Sequence, residues 1–225
     1  VSSAFNVQDA LALEDLTTYL GRAARVEDGS VRLIASGGIL AVYVAVLYPA
    51  GLLDESPTVL GLRTFALPEK EEFDVVVPVA SMLSRLERAK GGSLDPAAAV
   101  RVSIPMQVNS VTWAAISPPR GGWTPLAAPA YDTLDAIARA GIDEVATAIP
   151  TGTGEAIVHK VRSQVWGKPL VGFDYIPAGA AFAALSLGFL TPGDTVSVFE
   201  TGPWTRLTTR GGHVLIKRRA WSLAR

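Results

Sequence analysis

The side chains best suited to chemistry lie late in the chain: Arg206, Arg210, His213, Lys217, Arg218 and Arg219, all within Thr195–Arg219. Guanidinium and ammonium groups bind phosphate and carboxylate oxygens, so this cluster points to an anionic partner. The stretch Glu155–Trp166 offers a further set in His159, Lys160, Arg162, Ser163 and Gln164. Candidate contacts to an anion or a nucleic acid are therefore Lys160, Arg162, Arg206, Arg210, His213, Lys217 and Arg219. Just upstream, Gly152, Thr153 and Gly154 form a candidate nucleotide loop, because glycines opening a helix expose backbone N–H groups at its positive end. With VATAI as the strand before it, LVGFD as the next strand and Asp174 about twenty residues on, this loop sketches a dinucleotide fingerprint, although Ile157 occupies the third glycine position.

Catalytic chemistry is poorly supplied. There is no cysteine, which removes thiolate nucleophiles, disulfides and cysteine-based metal sites. His159 and His213 are the two histidines, too few for a histidine-rich metal centre. Glu155 and His159 stand four apart as a possible general-base pair, with no nucleophile beside them. Leu185-Ser186-Leu187-Gly188 supplies half of a nucleophile elbow, and no phosphate-loop pattern precedes Lys160. The acids Glu69, Glu71, Glu72 and Asp74 match no cation-loop spacing. No catalytic, cofactor or metal residue is assigned. The expected role is a non-enzymatic binding or regulatory protein whose basic C-terminal half meets nucleic acid or another protein. The alternative is a nucleotide-binding enzyme or sensor built on Gly152–Gly154.

The elements that must hold these groups follow from composition and periodicity. The 225 residues are 49% hydrophobic and 18% charged, enough for a large core and low in charge for a monomer, so homo-oligomerisation is expected. The longest apolar run, Ile39–Pro49, falls short of the ~20 residues a bilayer needs. No secretory signal precedes Val1, and the expected location is the cytoplasm. Acids outnumber bases 17 to 11 before residue 151, and bases lead nine to four after it.

In the first half, the spacing predicts a short strand at Phe5–Val7 and an amphipathic helix over Asp9–Val26. A hairpin turning at Ser36-Gly37-Gly38 follows, with strands at LGLRTFAL and FDVVVP and a helix starting at Pro78. VRVSIP and SVTWAAIS read as further strands. In the second half, Asp132 reads as a helix cap and IDEVATAI as either helix or strand. Glu155–Trp166 is helical, with Ile157, Val158, Val161 and Val165 on one face, and Pro177–Leu190 is a helix apolar all round. Three strand-like runs then close the chain. If the last two pair across Arg210-Gly211-Gly212, His213, Leu215, Lys217 and Arg219 share a face. RLIASGG and RLTTRGG repeat one spacing, read as two hairpins whose glycines supply positive φ.

The fold class expected is α+β, in two domains. Residues 1–120 form a mostly antiparallel sheet with two helices, and residues 121–225 a helical domain closed by a small winged-helix-like sheet. Trp113, Trp123, Trp166, Trp204 and Trp221 read as core plugs, with Trp204, near Arg206, the one placed for ligand contact. The runs VWGKP, IPAGAAFAALSLGFL and GPWTRLTTRGGHVLIKR resemble an uncharacterised family of conserved hypothetical proteins from high-GC actinobacteria. That resemblance implies a bacterial cytoplasmic protein and carries no functional residue. The element order of the first half is similar in outline to one repeat of a DNA sliding clamp.

Overall fold

The computed structural model describes residues 4–27, 29–51, 54–91, 95–108, 111–150 and 152–218. It is α+β, with a large antiparallel sheet and, among the described residues, five α-helices. The chain divides into two compact units that do not coincide with its two halves. Unit 1 comprises residues 1–45 and 62–116, and unit 2 comprises residues 46–61 and 117–225.

The first elements are β1 (Ala4–Val7), α1 (Ala10–Val26), β2 (Ser30–Ser36), β3 (Ile39–Leu47), β4 (Thr58–Ala66), β5 (Phe73–Pro78), α2 (Val79–Ala89) and β6 (Val100–Ser103); all belong to unit 1 except the end of β3 and the start of β4, residues 46–47 and 58–61, which belong to unit 2. α1 starts where Asp9 accepts the Ala12 N–H at 2.8 Å, satisfying one of the N–H groups a helix start leaves unpaired. Leu13, Leu16, Tyr19, Leu20 and Ala23 recur every three or four residues and are buried. Strand order here is β5-β2-β3-β4. Strict alternation in β2 buries Val31, Leu33 and Ala35 on one face, with Leu33 opposite Val42 of β3 and Val75 of β5. β1 pairs separately with β6. SVTWAAIS is not a strand. Thr112–Ala115 form a 3₁₀ turn in which local bonds such as Ile116 N–H to Trp113 C=O replace a ladder, and Trp113 is buried.

Unit 2 adds β7 (Thr124–Leu126), α3 (Tyr131–Ala148), α4 (Glu155–Trp166), β8 (Pro169–Leu170), β9 (Phe173–Pro177), α5 (Ala178–Ser186), β10 (Ser197–Thr201), β11 (Trp204–Thr209) and β12 (Gly212–Lys217). IDEVATAI is helix, because α3 runs on to Ala148. Its cap is Ala130, with Asp132 in the first turn. The apolar run after Pro177 stays helical only to Ser186, and Gly188 with φ +76° follows. Gly179, Ala180, Ala181, Ala183 and Ala184 are buried, so α5 is a core helix of small residues.

The order around the last strands is β4-β12-β11-β10-β7. The β11–β12 hairpin therefore has a bonded neighbour on each outer edge, β10 on one side and β4 on the other. A wing projects from a helical bundle; these strands lie inside a sheet, which corrects the expected small closing sheet. Gly211 and Gly212 also differ from expectation in their reason. A Cβ on Gly212 would stand 2.6 Å from the Phe189 ring, and one on Gly211 would stand 2.9 Å from Phe189 Cα. Close approach demands glycine there, whereas Gly37 and Gly38 carry the positive φ values, +62° and +82°, of a tight hairpin turn.

Candidate anion-binding face

Register decides which side chains of the last strands meet. Ser197, Thr208 and His213 are opposite one another across β10, β11 and β12, as are Phe199, Arg206 and Leu215, and Thr201, Trp204 and Lys217. These nine residues form one face of the sheet. The other face carries Val198, Leu207, Val214 and Ile216, each buried. His213, Leu215 and Lys217 share this face, Arg206 joins them across β11, and among the described residues of these strands no carboxylate lies on it. Glu200 belongs to the opposite side by alternation. Arg219 and Trp221 lie outside the described residues.

Arg206 is the centre of this face. Its guanidinium carbon stands 4.5 Å from the Trp123 ring centroid and 4.9 Å from that of Phe199, a cation in contact with two aromatic rings. Its Nε is buried and has no hydrogen-bond partner. Burial pushes the Arg206 pKa down from its ordinary value. His213 Nδ1 lies 3.0 Å from Thr208 Oγ1. Burial, and then the charge of Arg206, hold the His213 pKa below the usual imidazole value, so this side chain stays neutral to lower pH. The stacking tryptophan is Trp123, tied by its indole N–H to Pro119 C=O at 3.1 Å, while Trp204 is buried. Trp123 follows the PPRGG run, whose turn composition hid the residue as an ordinary loop aromatic.

Other tail cations are already paired within unit 2. Arg210 binds Asp194 at 2.5 Å, Arg218 reaches Glu200 at 3.4 Å, and Lys168 binds Glu144 at 2.7 Å. Arg162 donates to Val46 C=O at 3.4 Å. Regrouped by units, the charge asymmetry of the two halves almost disappears: unit 2 holds eleven Lys and Arg against ten Asp and Glu. The segment 46–61 brings Asp54 and Glu55 into it.

Lys160 stands apart from that face, in an open hollow of about 440 Å³ lined by Asp54, Ser56, His159, Lys160, Ser163 and Gln164, among others. Burial favours the neutral acid at Asp54, but bonds from Ser56 Oγ and from the Ala50 and Ser56 N–H groups, and the His159 charge, outweigh it and lower its pKa. His159 Nδ1 is 3.8 Å from Asp54 and 3.5 Å from Ser163 Oγ. A nucleophile–base–acid relay needs a different ring nitrogen for each neighbour. Here one nitrogen faces both, so the Ser–His–Asp trio is not a relay, and Glu155, exposed in the first turn of α4, is not the partner of His159.

Gly152–Gly154 joins two helices. Gly152 has φ +85°, Thr153 donates to Pro150 C=O through both N–H and Oγ1, and Gly154 caps α4. The strand that a dinucleotide fingerprint needs before this loop is the end of α3, which removes the basis of the nucleotide reading. LVGFD is a hairpin turn between β8 and β9, with Gly172 at φ +81°. Among the described residues no helix is long and apolar enough to cross a membrane, and no group of three or more His, Asp or Glu is placed to hold a metal ion.

Residues 2–106 match the family model of a domain of unknown function, DUF8010, and residues 118–221 that of another, DUF8185. No curated protein matches the sequence. The fold is similar to the DNA polymerase sliding clamp from Pseudomonas aeruginosa, with 16% identity and a TM-score of 0.47, covering 98% of this chain and 65% of that one. It is similar also to the Caulobacter crescentus clamp, at 13% identity and TM-score 0.47, over 99% and 67%. A third is the griselimycin-bound clamp from Bartonella birtlesii, at 12% identity and TM-score 0.46, over 98% and 66%. The chain thus spans about two thirds of the length of these clamps, and a likeness at this level carries no argument about function.

Proposed function

We propose that this protein is a binding protein without catalysis of its own, and that it receives an anionic partner on the β10–β12 face. One observation carries this reading: Arg206 and Lys217 share a face with no carboxylate, and neither has an acid partner among the described residues. A guanidinium held against two rings is pre-organised, so little side-chain freedom is lost when an anion binds it.

Chromatography on immobilised heparin tests it. At low salt the protein is retained, and retention weakens as salt rises, with a shallow dependence because the face offers three basic groups among the described residues. The double variant Arg206→Ala, Lys217→Gln elutes early. Absence of retention at low salt, or equal retention of the double variant, would overturn the reading.

A further inference from the structure

The anion at Arg206 can be specified further, on the premise that the β10–β12 face is the binding face. We infer that the Trp123–Arg206–Phe199 cluster is a receptor for a single carboxylate of an acidic protein segment, in preference to a nucleic-acid backbone.

Geometry is the first argument. Two rings lie against the guanidinium, their centroids 4.5 and 4.9 Å from its carbon, and its N–H groups project in the guanidinium plane. In that plane the donor fork matches the two oxygens of one carboxylate with parallel N–H···O bonds. Nε, the inner prong, is buried and unpaired. A buried donor without an acceptor is costly, and a planar oxyanion entering edge-on supplies the acceptor.

Charge supplies the second argument. A duplex-binding surface typically neutralises on the order of six to ten phosphates with separate cations. Here Arg210, Arg218 and Lys168 are committed to Asp194, Glu200 and Glu144. That leaves Arg206 as the centre, Lys217 on the same face, and a His213 held neutral by burial and by Arg206. One strong site beside one secondary cation suits a short acidic segment. An arginine framed by aromatic side chains is also the composition of a protein–protein anchor.

The Arg206 side-chain Nε–H resonance gives a direct test. It is assigned in ¹H–¹⁵N spectra of the full chain by its disappearance in Arg206→Lys. Three probes are titrated: acetyl-triglutamate amide, which has only side-chain carboxylates; acetyl-trialanine with a free C-terminus; and an oligothymidylate of the same charge as the first. A carboxylate probe is expected to move the resonance saturably, and Arg206→Lys and Trp123→Ala each to weaken its binding about tenfold or more by loss of the bidentate, pre-organised fork. The response of the first or the second probe distinguishes a side-chain from a terminal carboxylate. Should oligothymidylate bind as tightly as the carboxylates or alone, the carboxylate inference is overturned while the anionic-partner reading stands. If none of the three moves the resonance, both fall. The wild-type titrations, with the assignment from the conservative Arg206→Lys, decide these outcomes even if Trp123→Ala fails to fold.

Discussion

His213 shows how one side chain links the candidate site to stability. Its folded pKa lies below the ordinary value, by burial first and by Arg206 second. An unfolded chain, with a histidine pKa near ~6.5, therefore takes up the proton before the folded one does. Above that pH the residue is neutral in both states and contributes no pH dependence. As pH falls below about 6.5, towards the lowered folded value, the folded state loses stability relative to the unfolded. Urea melts at pH 7.5 and 5.5 should show this decline, and His213→Gln should reduce it. An unchanged decline in the variant would mean that another group carries it. Asp54 does not confuse the comparison, because with a lowered pKa its stabilisation is fully present above the ordinary carboxylate value of about 3.9 and is lost only as pH falls below it.

At the scale of elements, α3, α4 and α5 are brought together by Trp166. Its indole is buried and stacks on Phe182 at 4.3 Å, nearly parallel. Gly141 on α3 makes room for the ring: a Cβ there would stand 2.3 Å from Trp166 Cζ3. Helix propensity alone favours Gly141→Ala by roughly 1 kcal/mol. The clash opposes it, and overpacking of this kind costs about 1–3 kcal/mol or more where the neighbour cannot move. A Trp ring pinned by Phe182 on one side, with its own backbone against Gly179, has little room to yield. Gly141→Ala is therefore expected to lower the thermal midpoint. A stabilised variant would show that the ring shifts freely.

The helices and strands themselves were largely readable. α1, the β2–β3 hairpin, β5 into α2, α4 with Gly167 at its end, and the three closing strands follow from apolar spacing and turn residues, and they occur where those signals stand. The departures share a cause. SVTWAAIS has strand composition, yet within it Ala114 N–H bonds to Val111 C=O and Ile116 N–H to Trp113 C=O, each within one turn. IDEVATAI has no strong period of either kind, and continuation of α3 decides it. Propensity is a weak prior in such short segments, and tertiary context overrides it.

For the whole molecule, the consequential finding is that units and halves differ. Residues 46–61 belong to unit 2, far from the rest of it in sequence. They contribute the buried Leu47, Val59 and Leu60, and Leu47 Cδ2 would lie 3.5 Å from a Cβ on Gly179. A fragment of residues 118–225 lacks this apolar surface and the β4 neighbour of β12. It is expected to unfold without a cooperative transition or at a much lower midpoint than the full chain, as circular dichroism melting would read. A fragment melting like the full chain would show the segment to be dispensable.

What the sequence determined by itself is local and periodic. Alternation along the last strands places His213, Leu215 and Lys217 on one face, because successive strand residues point to opposite sides. The absence of cysteine closes off thiolate and disulfide chemistry from composition alone. Tertiary structure decided which charges are spent. Asp194 meets Arg210 sixteen residues away, Glu200 meets Arg218, and Trp123 crosses more than eighty positions to cover Arg206. Ion pairs and ring stacking act over a few ångströms through space, and no spacing along the chain encodes which distant side chain arrives there. Of the basic tail, Arg210 and Arg218 are thus paired once folded, while Arg206 and Lys217 keep their charge without an acid partner among the described residues.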